Sequence, residues 1–396
     1  MSTHISERHT DYYPPNKDGH KGDYNYKGDR LPNMRNENGE KGEEEILNPP
    51  HLMDKHLPNV KERVEGMKRE YERYEPVQCP PEPDPDYPLH YPLTDITANW
   101  PPDSPSDRPS HIYNSLCYFD YSDPVQRATA YKYRLAEVPF VVRGNPDLDN
   151  TVLRWGDITY MNELFGKAEE PFRCEYSENN HFMFWRAPQG RKQTKNFVPP
   201  TEMIKMTFQE WYAKATQERT SKDDPHWYFR ASACSKSGGC PAPDFQEIFS
   251  EVPIFQPEES LFIAAPKKQR GVHCRFGMTG VIAENHFDGS RNMIALLGGE
   301  RRYILSHPSN CRNMALFPKD HPSGRHSAVD WSDPDFSTFP AFEDVRSHEV
   351  VLQPGDVLYL PTHWFHYIIS LGFNYQCNTR SGKNYDYDSL MDECGF

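Results

Sequence analysis

The sequence predicts a mainly β domain, a sandwich or barrel, behind a long polar N-terminal tail. Three observations carry this. Residues 260–395 break into many short β-type segments separated by Gly, Pro and Asn turns. Residues 1–50 are rich in Asn, Lys, Glu, Gly and Asp and lack apolar periodicity, so they are expected to be disordered. Only 36 % of the 396 residues are hydrophobic and 37 are proline, which points to a globular part plus a substantial polar, proline-rich part.

In chain order, PNVKERVEGMKREYERYE (58–75) places Val60, Val64, Met67, Tyr71 and Tyr74 at three- and four-residue steps among charges. This predicts an amphipathic helix that packs on its own domain, with partner binding as the alternative. Residues 76–109 are proline-dense and read as an extended linker. Their Tyr87, Tyr91 and Trp100 suggest docking on the domain surface. The tail thus covers 1–110 and the globular domain 111–396. Within the domain, ATAYKYRLAEVPFVVRG (128–144) reads as a helix and then a buried strand, Val138–Val142. DITYMNELFG (157–166) reads as a short helix stopped by Gly166. CEYSENNHFMFW (174–185) reads as two strands around a turn, and MTFQEWYAKATQE (206–218) as a helix begun by a Thr cap. HWYFRAS (226–232) is an aromatic strand.

Net charge is −14 and the pI about 5.7, which argues against nonspecific binding to nucleic acid or an anionic membrane. No apolar run approaches the ~20 residues that cross a bilayer. MSTHISERHTDYYPP has no apolar core of a secretory signal, so cytoplasm or nucleus is the expected location. The nine cysteines include no C-x-x-C pair, so a zinc ribbon is not expected. Cys234 and Cys240 bracket CSKSGGC and are expected to be free thiols, with a loop disulfide or a metal contact as alternatives.

Chemistry concentrates around ENHFDG (284–289). Strand alternation points His286 and Asp288 to one face. Strands follow at Asn292–Leu297, Arg301–Ser306 and Val357–Leu360, and THWFHYII places His366 at the start of another. Two histidines and one carboxylate have the composition of a facial triad for non-haem Fe(II). Three ligands on one face leave positions open for a bidentate co-substrate and dioxygen. Each piece alone is weak: a lone H-x-D pair or a lone core histidine is common. His363 lies on a different phase and reads as surface. His307, His321 and His326 fall in an irregular insert without a ligand partner. Trp364, Phe365 and Tyr367 read as core. Alternation lets only one of Arg301 and Arg302 point inward, and the plain alternative is a surface pair.

ENHFD, LLGGERRYILSHP and PGDVLYLPTHWFHYIISL resemble the JmjC-type cupin oxygenases, which use Fe(II) and 2-oxoglutarate. HPSGRHSAVDWSDPDFSTFPAF (321–342) resembles, more closely, the asparaginyl hydroxylase known as factor inhibiting hypoxia-inducible factor. The resemblance covers about 138–382 and is strongest after 260. It implies a double-stranded β-helix (cupin/jelly-roll, JmjC type) with a core at 260–382 and N-terminal helical decoration. It implies His286, Asp288 and His366 as iron ligands and catalytic centre. It places Asn292, Asn378, Arg301 and Tyr228 on the co-substrate side and Arg325 on the substrate side. The implied reaction consumes O2 and 2-oxoglutarate, releases CO2 and succinate, and hydroxylates a protein or peptide side chain. A lysine demethylase, a non-catalytic metal-binding scaffold and, more weakly, a zinc cupin remain alternatives. The chain departs from the family pattern at Ala283, where a hydroxyl residue is usual, and at Arg301, where lysine is usual. It also ends at Phe396, without the dimer-forming helices that follow the core of the asparaginyl hydroxylase, so a dimer built that way is not expected.

Overall fold

The computed structural model describes residues 60–68, 74, 77, 79–186, 197–217, 221–234 and 243–396. The expected disorder over 1–50 lies outside these residues. Fifteen strands are described: β1 (Tyr91–Pro92), β2 (Tyr118–Asp120), β3 (Phe140–Arg143), β4 (Phe172–Ser177), β5 (His181–Phe182), β6 (Glu202–Met206), β7 (His226–Ala233), β8 (Gln269–Gly277), β9 (Ile282–Phe287), β10 (Asn292–Gly298), β11 (Arg301–Ser306), β12 (Arg346–Leu352), β13 (Val357–Leu360), β14 (Phe365–Ser370) and β15 (Asn374–Ser381). They form a larger sheet in the order β2-β3-β13-β10-β15-β8-β7-β4-β6 and a smaller one in the order β1-β12-β11-β14-β9-β5. From β8 to β15 the chain alternates between the sheets, apart from the β11–β12 pair, which stays in the smaller one. This is the expected mainly β, double-stranded β-helix architecture.

Both faces of the central strands are covered, which is why NMIALLG, VLYL and FHYIIS are buried at every position. Between the sheets, Leu296, Tyr303, Leu305, Val350, Leu358 and Ile368 form one core. On the outer face of the smaller sheet, Ile304, Val351, Phe365, Tyr367 and Ile369 pack with Ile96, Trp100, Trp331 and Phe342. On the outer face of the larger sheet, Phe229 and Phe276 stack 5.3 Å apart, and Trp155 meets Phe276 at 5.8 Å.

Helices supply these outer layers. We label them α1 (Val60–Lys68), α2 (Leu93–Asn99), α3 (Pro124–Leu135), α4 (Pro146–Trp155), α5 (Ile158–Phe165) and α6 (Phe208–Ala215). Thr207 and Glu210 close a reciprocal capping box at α6, and Asp157 caps α5. Helix α1 buries Val64 and packs against α4, as expected of a helix serving its own domain. The expected continuation to residue 75 lies largely outside the described residues. The turn between β10 and β11 needs Gly299: its φ is +66° and a Cβ there would stand 2.0 Å from the carbonyl oxygen of Phe373.

Several expectations change. The proline-dense stretch docks, but it is more than an extended strap: Tyr91–Pro92 pairs with β12 and α2 follows it, with Trp100 fully buried. Residues 174–185 hold the two expected strands around a turn, but β4 joins the larger sheet and β5 lies parallel to β9 in the smaller. The sequence reading missed α4, which Asn145 caps. Cys234 is not the free thiol expected. Cys79–Cys117, Cys274–Cys377 and Cys311–Cys394 are disulfides, and Cys234 is disulfide-bonded as well. Cys240 lies outside the described residues, and Cys174 is a buried free thiol. Among the described residues no helix is long and apolar enough to cross a membrane.

Candidate metal centre

β9 and β14 are hydrogen-bonded neighbours, and their register sets His286 directly opposite His366. The two imidazoles stand with ring centroids 4.1 Å apart. Asp288 follows immediately after β9, on the phase of His286. One ligand atom from each of His286, Asp288 and His366 lies within 4.8 Å of the other two. The Nδ1–H of His286 donates to the Glu284 carbonyl at 2.7 Å, and that of His366 donates to the Trp364 carbonyl at 3.1 Å. Those bonds fix the tautomer that leaves each Nε2 lone pair available. Burial, reinforced by the neighbouring imidazoles His366 and His326, holds His286 well below the ordinary histidine range. Burial likewise lowers His366. Burial alone would raise Asp288, but Arg380, then the two histidines and Arg325, hold its carboxyl well below the usual range. Two neutral imidazoles and one ionised carboxylate fit a ferrous ion.

Other side chains stand around this cluster. Arg380 donates to Asp288 Oδ2 at 2.6 Å, and Arg325 Nη1 lies 3.5 Å from Oδ1. Asn378 donates to Asn292 Oδ1 at 2.8 Å, and Asn292 Nδ2 reaches Asp288 at 3.5 Å. Arg301 is fully buried at the floor of the space between the sheets, where its Nη1 donates to the Tyr228 hydroxyl at 3.2 Å. Ala283 pairs with Ile368 and leaves that wall without a hydroxyl.

Three readings of individual side chains need correction. His326 is not remote: it is buried and stacks on His286 at 4.9 Å, because residues 326 and 286 form a bridge between the insert and β9. His363 is buried at 6 % exposure rather than on the surface, with its ring edge-on to Phe287. Arg301 and Arg302 are no surface pair. They point to opposite faces, and both are buried because α2 covers the outer one, where Arg302 pairs with Glu349 and lies over Trp100. Arg380, Arg230 and Arg275 were missed. Alternation alone could have flagged two of them, since Arg380 is two residues after Asn378 and Arg230 two after Tyr228.

A family model described as a cupin-like domain matches residues 126–388. The human tRNA wybutosine-synthesizing protein 5 is 25 % identical over 270 residues, covering 65 % of this chain and 73 % of that protein. The Drosophila melanogaster Jumonji C domain-containing protein 5 is 29 % identical over 131 residues, 31 % of this chain and 32 % of its own length. The Xenopus tropicalis lysine-specific demethylase 8 is 30 % identical over 135 residues, 33 % of this chain and 30 % of its own. The chain thus spans about a third of the last two. With the family model covering well over half of the sequence and the alternating two-sheet fold beneath it, the chain belongs to the cupin-like domain family and has relatives of the JmjC type.

Proposed function

We propose that this chain is an Fe(II)- and 2-oxoglutarate-dependent dioxygenase that hydroxylates a protein side chain. The observation that carries the reading is the convergence of His286, Asp288 and His366 within 4.8 Å in the form that ligates a ferrous ion. When bound, the ion supplies dioxygen activation coupled to decarboxylation of the 2-oxo acid to succinate and CO2. The chain's own residues bind, orient and exclude water. The Asn292–Asn378 pair braces the carboxylate ligand, and the buried walls between the sheets keep bulk water from the centre. Arg325 and His326, from the insert, stand on the substrate side.

The likeness of residues 321–342 to the asparaginyl hydroxylase supports side-chain hydroxylation over demethylation. The net charge of −14 favours a protein over an RNA substrate, although one group of relatives is named for tRNA. The disulfides move the proposed location from cytoplasm or nucleus to an oxidising compartment, where such bonds persist.

The test is an anaerobic titration of metal-free protein with Fe(II) and then 2-oxoglutarate, read by the visible charge-transfer absorption of the chelate. The wild type is expected to develop the band, and His286→Ala and Asp288→Ala to lose both the band and the stoichiometric metal. Equal metal uptake by both variants would sink the triad. Iron bound without a band would favour the scaffold reading.

A further inference from the structure

On the inner face of the larger sheet one row of directly opposed residues runs Arg173 on β4, Arg230 on β7, Arg275 on β8 and Gln376 on β15. Like charges set directly opposite on a sheet repel. Glu175 answers part of that charge, since it accepts from both Arg173 and Arg230. Arg275 has no ion-pair partner among the described residues, and its Nη1 donates only to the Cys274 carbonyl, at 3.3 Å. Burial, then the adjacent Arg230, pushes its guanidinium down to about 9, with Tyr228 and Glu175 acting in the opposite direction.

Arg301 reaches the same row from the smaller sheet, but the protein already engages it. Its Nε donates to Asn374, its Nη1 to the Tyr228 hydroxyl at 3.2 Å and to Gln376 at 2.9 Å, and its Nη2 to the Arg275 carbonyl at 3.2 Å. All of these acceptors are neutral. Because the Tyr228 oxygen accepts from Arg301, its own O–H is left to donate into the chamber.

The depth is also right. Asn378 and His273 are opposed on β15 and β8, and Asn378 bonds the Asn292 beside Asp288. Gln376 and Arg275 lie two residues further in, about 6.6 Å along the strands. An extended five-carbon dicarboxylate spans that step.

We infer that Arg275, together with the Tyr228 hydroxyl, binds the far carboxylate of 2-oxoglutarate, and that Arg301 is a positioning residue that fixes Tyr228 and Gln376. The inference rests on the oxygenase reading above. It accounts for a pocket that lacks a hydroxyl at Ala283 and still needs two donors for one carboxylate.

The experiment is calorimetric titration of Mn(II)-loaded protein with 2-oxoglutarate and with pyruvate, which keeps the 2-oxo acid but lacks the far carboxylate. The proteins are wild type, Arg275→Gln, Arg275→Lys and Arg301→Gln. In Arg275→Gln, 2-oxoglutarate is expected to weaken roughly 10- to 100-fold and pyruvate to stay within twofold, so the preference for the diacid collapses. Arg275→Lys should restore part of that preference. Arg301→Gln, which only loosens Tyr228 and Gln376, should lower the melting temperature and cost less of the preference than Arg275→Gln does. If Arg275→Gln keeps the wild-type preference for the diacid, or Arg301→Gln costs more of it than Arg275→Gln does, the assignment is overturned. Glutarate without metal separates this inference from the oxygenase reading. Should wild type ignore the 2-oxo acids yet bind glutarate through Arg275, the carboxylate site stands and the reading falls. Should it bind none of them, both fall.

Discussion

Arg302 and Glu349 make a fully buried ion pair, with side chains 1 % and 0 % exposed. Arg302 also donates to the carbonyls of Trp100 and Ile96. Removing one partner of such a pair leaves an uncompensated charge in a dry site. Glu349→Ala is therefore expected to cost about 3–5 kcal/mol, measured by urea denaturation. A loss under 1 kcal/mol would mean that water reaches the guanidinium. The neighbouring residue shows what sequence could and could not give at this scale. Alternation correctly assigned Arg301 and Arg302 to opposite faces. It could not say that both faces are covered, because the cover comes from residues just over 200 positions away. The three candidate ligands were legible for the opposite reason. His286 and Asp288 are local to one strand end, and His366 was tied to them by its strand context. That Arg325 and Asn292 stand beside Asp288, and that the insert brings His326 against His286, follows only from the folded insert and the sheet register.

Strand β12 carries His348 into a cluster with His90, His307 and Trp364. The His90 and His348 rings stand 5.1 Å apart, and His307 meets Trp364 at 5.2 Å. Among the described residues, neither buried ring nitrogen of His348 has a hydrogen-bond partner. Burial, then His90 and His307, holds His348 well below its ordinary range, and burial takes His90 and His307 to about 4. The folded values lie below the unfolded value near 6.5, so the unfolded chain takes up protons first as pH falls. Stability is thus whole above about pH 6.5 and drains away toward pH 4. Thermal melts at pH 7.5 and pH 5 are expected to differ more in wild type than in His348→Phe. Parallel losses in the two proteins would clear this cluster of the effect. Most strands of the core were legible, because turn residues such as Gly298, Gly299, Pro354 and Gly355 punctuate continuous apolar runs. Helix α4 was not. Its PDLDNTVLRW carries turn-forming Asp and Asn, and it is helical because Asn145 caps it and Leu148, Val152 and Trp155 find a sheet to cover. Prolines on either side hid α2 in the same way.

Across the whole molecule, the described disulfides close loops with sequence separations of 38, 103 and 83 residues. Bonds that close loops of this size typically stabilise by about 2–4 kcal/mol each, through the constraint they place on the unfolded chain. Reduction is therefore expected to move the denaturation midpoint sharply downward without changing the fold class, measured by circular dichroism with and without dithiothreitol. An unchanged midpoint would show that the cross-links are absent in solution. No spacing rule in the sequence announced these pairs. Each joins segments that meet only after the sheets have formed, so an inferred reducing compartment made free thiols the natural expectation.

The Cys274–Cys377 bond has a practical consequence. It sits behind Arg275 and Gln376, one residue along each strand and on the opposite face, so it clamps the two strands that carry the inner row of the chamber. Handling an iron protein calls for a reductant to keep the metal ferrous. Here a thiol reagent would undo the brace at the back of the pocket while protecting the ion in front of it. A preparation kept in dithiothreitol would look like a weak enzyme for a reason unrelated to its chemistry. Ascorbate, which reduces iron and leaves cystine alone, is the reagent with which this protein should first be assayed.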